Sequence, residues 1–339
     1  MTAGEPHHLG SDVVHTFWDR DLPPRLTIAP GDTVTFQTRE PSNGQMTRDI
    51  VAGVRSTQSC PPDLAALIAA SVTPQPEPSD NTALPGHALT GPVAIAGAEP
   101  GDTLAVEVIS VIPAAWGWTA SGPGPGGGLL QDDWDAWILH AWDLRNGRTA
   151  IFAPGIEVPL APFCGVMGVA PAEPGRHSTI PPRSAGGNLD VRQLTAGSTL
   201  LLPVQVPGAL FSCGDAHAAQ GDGEVSGTGI EADATVTLRF DLLKGQSIPG
   251  PQFHTPMVDE RRGPWFAAIG TGPDLYVAAQ EALRGVLTYL EHQHGLPRQR
   301  AGILASACVD LRLSQLVNGG VFTVSAFLPL SIFTDTPAN

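Results

Sequence analysis

Alternating apolar and polar positions recur along the first two thirds of the chain. In residues 26–38, LTIAPGDTVTFQT, they flank a Pro-Gly-Asp turn, which is the pattern of two half-buried strands. A related phrase returns in residues 91–111, GPVAIAGAEPGDTLAVEVISV, and a weaker one in residues 194–206, LTAGSTLLLPVQV. These three strand–turn–strand units predict a β-sandwich or barrel with some internal duplication.

The pattern changes towards the C-terminus. Residues 274–295, DLYVAAQEALRGVLTYLEHQHG, place apolar side chains near helical spacing, and Gly295 is a plausible C-cap. A second helix is predicted to start at Pro297 and to end near Ala307, and a last strand is predicted over residues 321–333. We therefore expect a mainly β fold with a C-terminal α+β layer.

This pattern suggests two parts that pack on one core. Residues 1–245 form a β-rich part that carries the candidate chemistry, and residues 246–339 form the α+β part, in one domain or two. Residues 73–86 and 120–130 are rich in proline or glycine and are predicted to be loops. The second loop lies within a tryptophan-rich region, residues 116–142. It is interpreted either as a mobile lid with aromatic walls or as a surface loop packed by its own tryptophans.

Charge and cysteine usage narrow the function classes. The chain of 339 residues has 18 Lys and Arg against 33 Asp and Glu, and a formal net charge of −15. No basic cluster is present to neutralise phosphates, so nucleic-acid binding is not expected. The four cysteines, Cys60, Cys164, Cys213 and Cys308, form no CxxC pair, which disfavours a disulfide scaffold or a zinc ribbon. With no signal-peptide pattern and no membrane-spanning apolar run, we predict a cytoplasmic protein without a membrane partner.

Polar residues concentrate in residues 211–231, FSCGDAHAAQGDGEVSGTGIE, between two apolar segments. Asp215 and His217 are two positions apart, so an extended chain points both side chains to one face. A carboxylate and an imidazole together are natural ligands for a borderline divalent metal. Glu224 follows as a general base or a further ligand, and Asp190, after a Gly-Gly turn, stands where a third ligand is commonly supplied.

Each of these residues also has a purely structural interpretation. Residues 221–223 form a hairpin turn in that alternative, with Asp215 and His217 ion-paired across it, and Asp190 is an Asx cap. Cys213 directly precedes the Gly-Asp-Ala-His run and suggests a thiol nucleophile, for which His217 and Glu224 would have to be recruited as partners.

Longer runs of the chain resemble the acetamidase/formamidase family. The central signature is matched by GGNLD (186–190), LPV and VPGALFS (within 202–212), and GDAHAAQGDGEV (214–225). The outer segments that resemble the family are LPPRLTIAPGDTVTF (22–36), TGPVAIAGAEPGDTLAVEV (90–108), PFCGVMGVAPAEPG (162–175) and SACVDLRLSQLVNGGVFTVSAFLP (306–329). Together these segments cover most of the chain.

The resemblance implies a β-rich fold with a metal site that hydrolyses a small aliphatic amide, of the formamide or acetamide class, to a carboxylate and ammonia. Matched by position, Asp190, Asp215 and His217 are assigned to the metal and Glu224 to proton transfer. Gln220 and Asn188 are assigned to substrate binding. The expected cofactor is a divalent metal, Zn²⁺ with Ca²⁺ as the alternative, and the expected assembly is a homo-oligomer, a dimer.

One departure bears on the substrate. Family members carry an Asp before a small-residue–Gly-Gln turn, whereas residues 39–45 here read REPSNGQ, so Glu40 replaces that Asp or the loop is rebuilt.

Two other functions remain open. One is a non-catalytic β-sandwich that uses the acidic cluster to hold Ca²⁺ and binds a sugar or another small ligand. The other is a hydrolase of a cyclic amide.

Overall fold

A computed structural model describes residues 6–55, 57–58, 60–72, 86–128, 132, 135–153, 156–224, 226–256, 264–296, 298, 309–330 and 333. The strands are β1 (Pro6–Leu9), β2 (Val14–His15), β3 (Phe17–Trp18), β4 (Leu26–Ile28), β5 (Thr33–Thr38), β6 (Thr57–Gln58), β7 (Leu89–Ile95), β8 (Thr103–Pro113), β9 (Trp116–Ser121), β10 (Ile138–Asp143), β11 (Thr149–Ala153), β12 (Ile156–Pro159), β13 (Phe163–Gly168), β14 (His177–Ser178), β15 (Gly186–Asn188), β16 (Thr199–Pro203), β17 (Phe211–His217), β18 (Glu231–Ala232), β19 (Ala234–Leu243), β20 (Gln252–His254), β21 (Trp265–Gly272), β22 (Asp310–Gln315) and β23 (Phe322–Pro329). The helices are α1 (Gln45–Val51), α2 (Pro62–Ala70) and α3 (Leu275–His294).

Two large sheets make up the fold. The first has nine strands in the order β1-β5-β19-β8-β16-β20-β21-β23-β22. The second follows the path β15-β13-β17-β18-β9-β10-β6, and β7 joins it by pairing with β17, β2 and β4. Within the described residues neither sheet closes on itself. The expected mainly β fold is therefore confirmed, as an open sandwich and not as a barrel.

Aromatic side chains from both sheets meet in the core. Phe211 of β17 lies 6.0 Å from Phe36 of β5 and 5.0 Å from Phe240 of β19, measured between ring centroids in edge-on contact. All three are fully buried, and each such burial contributes about 1.5–3 kcal/mol relative to exposure. This contact anchors the start of β17, the strand whose other end carries the Asp-Ala-His run.

The two clearest predicted strand–turn–strand units use the same turn. Asp32 and Asp102 each accept a hydrogen bond on Oδ2 from the main-chain nitrogen three residues earlier, at 2.9 and 2.8 Å. The preceding glycines, Gly31 and Gly101, both have φ of 96°, which favours glycine. Each turn leads from the second sheet to the first, as β4 to β5 and as β7 to β8. The third, weaker unit contains one strand, β16.

The C-terminal layer is helix α3 packed on β21 and β23. The carboxylate of Asp274 caps its first turn by accepting from Val277 N at 3.0 Å, and Gly295 ends the helix with φ of 61°. This helix is confirmed as predicted, and β20 to β23 continue the nine-stranded sheet. The second predicted helix, from Pro297 to about Ala307, lies almost entirely outside the described residues. In the described part of the chain, no helix has the length and apolar character of a membrane span.

The tryptophan-rich region is partly sheet. Trp116 and Trp118 lie on β9 and Trp142 lies on β10, and all three side chains are buried. These three tryptophans therefore belong to the sheet, and Trp116 and Trp118 pack with Leu64 and Ile68 of α2. Trp134 and residues 73–85 of the proline-rich stretch lie outside the described residues. Helices α1 and α2 were not predicted from the sequence.

Candidate functional site

Strand β17 brings two of the predicted site residues together. It lies between β13, β18 and β7, and it ends at His217. Asp215 has φ of 54°, a left-handed conformation that interrupts the regular strand. Its Oδ1 nevertheless lies 3.4 Å from Nε2 of His217, and both side chains are at least 95% buried. The pair therefore sits inside the protein and not on its surface.

Asp190 reaches the same place from the end of β15. Its backbone is also left-handed, with φ of 48°, and one carboxylate oxygen accepts a hydrogen bond from the side-chain amide of Asn318. Gly165 of β13 lies against this carboxylate and that of Asp215, and a Cβ at Gly165 would overlap oxygens of both. The absence of a side chain at Gly165 thus makes room for the two acids.

Glu224 completes one side of the cluster. Residues before it are held by β22, because the main-chain nitrogen of Gly223 donates to Ser314 O at 3.2 Å. Glu224 has φ of 47°, so three of the six described non-glycine residues with positive φ are carboxylates of this site. Such backbone strain is typical of functional sites. One ligand atom each of Asp190, His217 and Glu224 lie within 4.8 Å of one another.

A fourth acid, Glu231, belongs to the site although the sequence analysis assigned it no role. It lies on β18, its Oε1 accepts a hydrogen bond from Gly229 N at 2.7 Å, and its Oε2 is 3.0 Å from Nε2 of His217. Asp215, His217 and Glu231 form a second group within 4.8 Å. The only signal in the sequence was its place as the last residue of the polar run. His87 was also missed, and its Nε2 lies 4.0 Å from Oδ2 of Asp215.

Burial and mutual repulsion change the pKa values of the acids in this cluster. Burial raises the pKa of Glu224 well above its usual range, and the nearby charge of Asp190 adds to this effect. Burial likewise raises the pKa of Glu231 to about 8 and, together with the charge of Asp215, the pKa of Asp190 to about 6. Burial opposes ionisation of Asp215 as well, but His87 and His217 outweigh it and hold its pKa below the usual range.

The imidazole of His217 is the counter-charge within the protein. Burial alone would lower its pKa, but the carboxylates of Glu231 and Asp215 raise it well above the usual value. One imidazolium faces four buried carboxyl groups, and the raised pKa values of Glu224 and Glu231 show that full ionisation of the cluster requires further positive charge. A bound cation would stabilise this arrangement.

The donor atoms of the cluster fit a divalent metal ion. Four buried atoms make no hydrogen bond among the described residues: Asp190 Oδ1, His217 Nε2, Glu224 Oε2 and Glu231 Oε2. Of these, His217 Nε2 and Glu231 Oε2 face each other at 3.0 Å as an ion pair. An unpaired buried polar atom costs about 1–3 kcal/mol, so a cation bound between Asp190, His217 and Glu224, whose ligand atoms lie within 4.8 Å of one another, would remove much of this penalty. Carboxylate oxygens with one imidazole nitrogen are a ligand set that zinc accepts, whereas calcium takes oxygen alone.

The two residues assigned to substrate binding make hydrogen bonds within the protein. Oε1 of Gln220 accepts a hydrogen bond from Nδ1 of His217 at 2.7 Å. Nε2 of Gln220 donates a hydrogen bond to the main-chain oxygen of Asp190 at 3.0 Å. Asn188 is buried and donates to Ile180 O at 2.9 Å. Gln220 also lines the cleft described next. The substrate-binding roles of both residues stay predictions.

A cleft of about 450 Å³ opens beside the cluster. Glu224 is the acid of the cluster that lines it, together with Gln220, Ser226 and residues 228–230. Trp142 of β10 and Val158 and Pro159 at the end of β12 also line it. Of the four acids, Glu224 is therefore the one placed to contact a molecule in the cleft.

Cys213 and Glu40 have other environments. The thiol of Cys213 is fully buried in the core between the sheets, and burial, together with neighbouring Cys164, raises its pKa well above the usual value. This opposes the thiolate that a cysteine nucleophile requires.

Glu40 organises the turn before α1, since its carboxylate accepts hydrogen bonds from Ser42 N at 2.8 Å and Gly44 N at 2.5 Å. Burial raises the pKa of Glu40 to about 7.

Several known proteins are similar to this chain in sequence and in fold. Residues 77–178 and 172–335 match the model of the acetamidase/formamidase family. The chain is 27% identical to an acetamidase of Mycolicibacterium smegmatis, over 77% of this chain and 74% of that protein. It is 27% identical to a formamidase of Methylophilus methylotrophus, over 94% and 89%. A crystal structure of an acetamidase from Bacillus halodurans superposes with a TM-score of 0.80 and 28% identity, over 98% of this chain and all of that chain.

Proposed function

The chain belongs to the acetamidase/formamidase family, and we propose that it hydrolyses the C–N bond of a linear carboxamide, releasing a carboxylate and ammonia. The observation that carries this proposal is the buried cluster of Asp190, Asp215, His217, Glu224 and Glu231 beside a cleft. An amide is a stable bond with a poor leaving group. Its hydrolysis needs an activated water, stabilisation of negative charge on the carbonyl oxygen and a proton for the departing nitrogen.

We propose further that Asp190, Asp215 and His217 hold a divalent metal, Zn²⁺, and that Glu231, whose Oε2 lies 3.0 Å from the metal-facing Nε2 of His217, adds a further oxygen donor. The nitrogen donor of His217 favours Zn²⁺ over Ca²⁺. Such an ion supplies Lewis acidity, which lowers the pKa of water and polarises a carbonyl group. Asp190 Oδ1 and His217 Nε2, two of the buried atoms that make no hydrogen bond among the described residues, support the assignment.

Glu224 is the proposed proton carrier. It lines the cleft, whereas Asp190, Asp215 and His217 are buried behind it. A cation bound in the cluster would offset the increase in the pKa of Glu224 that burial causes and would keep the side chain ionised. The carboxylate would then take a proton from the attacking water and pass it to the departing nitrogen, so that the leaving group departs as ammonia. The main-chain bond from Gly223 to Ser314 and the left-handed backbone fix its direction. The predicted homodimer stays a prediction.

The test combines an ammonia-release assay with metal analysis of the purified protein. Exhaustive chelation should abolish turnover, and added Zn²⁺ should restore it. Glu224→Gln should keep metal and lose activity by about 10²–10⁴-fold, the usual contribution of a positioned base. Asp215→Asn should lose metal and activity together. Turnover that survives full chelation would exclude the metal role. Protein that binds Ca²⁺ and releases ammonia from no amide would favour the non-catalytic alternative.

A further inference from the structure

The cleft beside Glu224 has one continuous apolar wall. This wall is formed by residues from four separate segments that line the cleft: Trp142, Val158, Pro159, Ala219 and Ile230. Several of them also pack together in one hydrophobic cluster behind the surface. An apolar wall at this place gains free energy only when it covers an apolar group of the bound molecule.

The wall is fixed before any ligand arrives. The indole nitrogen of Trp142 donates to Thr119 Oγ1 at 2.9 Å, and that hydroxyl donates in turn to Gly229 O at 2.6 Å. This chain of hydrogen bonds ties β10, β9 and the segment after Glu224 to one another. A preformed wall costs little ordering on binding, so the apolar contact is available to a substrate in full.

The cleft is larger than a formamide or acetamide molecule. Acetamide has four heavy atoms, which take up about 120 Å³ if each occupies the ~30 Å³ of a liquid water molecule. The cleft offers about 450 Å³, within the range of sites that hold much larger ligands. A two-carbon amide bound at Glu224 would leave most of the apolar wall in contact with water.

The charges at the rim of the cleft are paired with each other. Arg192 Nη1 lies 3.9 Å from Asp222 Oδ2, and the other oxygen of Asp222 accepts a hydrogen bond from Gln193 at 2.9 Å. Neither charge is left without an opposite partner. Arg192 and Asp222, the described charged residues at the rim, therefore offer neither an unopposed cation for a second carboxylate nor an unopposed anion for an amine.

We propose that the substrate is an uncharged primary amide whose acyl group is apolar and longer than acetyl. This inference rests on the proposed amide hydrolysis at Glu224. The carboxamide lies at the Glu224 end of the cleft, and an aliphatic chain or an aromatic ring lies along the wall that Trp142 and Ile230 form. Hydrolysis adds water across the C–N bond and gives the corresponding longer carboxylate and ammonia.

The experiment measures kcat/KM by ammonia release for acetamide, butyramide, hexanamide, phenylacetamide and the anionic amide succinamate. Burial of each additional methylene should raise kcat/KM about fourfold until the wall is covered. Hexanamide and phenylacetamide should therefore exceed acetamide by at least about tenfold. A series that is flat, or highest for acetamide or succinamate, would overturn the proposal. Release of ammonia from no amide at all would instead refute the hydrolase function itself.

A pair of variants ties the preference to the wall. Val158→Phe fills part of the cleft and should lower the ratio of kcat/KM for hexanamide to that for acetamide by about tenfold, the effect of a few excluded methylenes. Ile112→Phe makes a comparable change on exposed β8, away from the cleft, and should leave the ratio unchanged. If this ratio is equal in both variants and the parent, the apolar wall does not determine the preference for longer acyl groups. If Val158→Phe folds poorly, the comparison of the five amides on the parent protein still tests the proposal.

Discussion

The imidazole of His217 and the side-chain amide of Gln220 are joined by a hydrogen bond of 2.7 Å between Nδ1 and Oε1. The amide nitrogen of Gln220 donates to the main-chain oxygens of Asp190 at 3.0 Å and Ser314 at 3.4 Å. These two donations fix Oε1 as the acceptor, so Nδ1 of His217 carries the proton. Nε2 then faces Asp215 and Glu231 as the atom available to a metal.

Replacement of Gln220 by methionine should weaken metal binding. Gln220→Met keeps the length of the side chain but removes the acceptor for Nδ1 and the link to the Asp190 segment. Loss of such a support typically lowers metal affinity by about 10–100-fold. Zn²⁺ affinity measured by competition with a chromophoric chelator checks this. Gln205→Met, at a glutamine that bonds Ala172 N and Ser184 instead, should bind Zn²⁺ like the parent. Equal affinities in both variants would contradict the orienting role.

Glu231→Gln tests the acid that sequence reasoning missed. Its Oε2 lies 3.0 Å from Nε2 of His217, and its Oε1 is already held by Gly229 N. The amide keeps the shape but cannot ionise when a cation binds, so Zn²⁺ affinity should fall by at least about tenfold, with a parallel loss of turnover at limiting metal. The measurement is metal content after dialysis against a fixed zinc buffer. If the variant retains metal but loses turnover, Glu231 acts in proton transfer.

Local patterns predicted the elements that local interactions determine. Helix α3 was found because its apolar spacing and its ending glycine, Gly295, lie within one segment. Asp215, His217 and Glu224, which the structure brings into one cluster, could be predicted as neighbours because they stand within ten residues of each other in a motif. Family membership followed from longer runs of the same kind, and the family match confirms it.

Long-range pairing positions the residues that were missed. Glu231 reaches His217 because β18 pairs with β17, and Asn318 reaches Asp190 from 128 positions later in the chain. No periodicity in the sequence encodes such contacts. Helix α1 was missed because it has seven residues, too few for a helical pattern to be distinguished. Cleft size likewise depends on side chains from several separate segments.

Gly165→Ala should disrupt the acidic cluster. The added methyl group would overlap Oδ1 of Asp190 and crowd Oδ2 and the carbonyl oxygen of Asp215. These acids are fixed by left-handed backbone and by close packing, so they cannot both retreat. We expect a loss of unfolding free energy of about 1–3 kcal/mol and a large loss of Zn²⁺ affinity. Gly250→Ala is the control, since its Cβ would meet only Ile269 O at 3.9 Å. Comparable stability and metal content in the two variants would contradict the close approach at Gly165.

His15 should make the stability of the fold depend on pH below neutrality. Its Nδ1 bonds Phe17 O and its Nε2 bonds Ser212 Oγ on β17, both at 2.8 Å. Burial lowers the pKa of His15 to about 4 from its usual 6.5, although the bond to Phe17 opposes this shift. The unfolded chain takes up the proton first, so the stabilisation is complete above pH 6.5 and is lost as pH falls towards 4.

The measurement is the unfolding free energy in urea at pH 7.5 and pH 4.5 for the parent, His15→Gln and Ser212→Ala. The parent should lose about 2 kcal/mol more than His15→Gln between these two values, because only the parent has this imidazole to protonate on unfolding. Ser212→Ala removes the hydrogen bond but keeps the buried imidazole, so it should retain a pH-dependent loss close to that of the parent. If His15→Gln and the parent lose the same free energy, His15 is protonated in the folded protein at pH 4.5 or is open to water, and its burial between β2 and β17 does not control the acid stability of the sandwich.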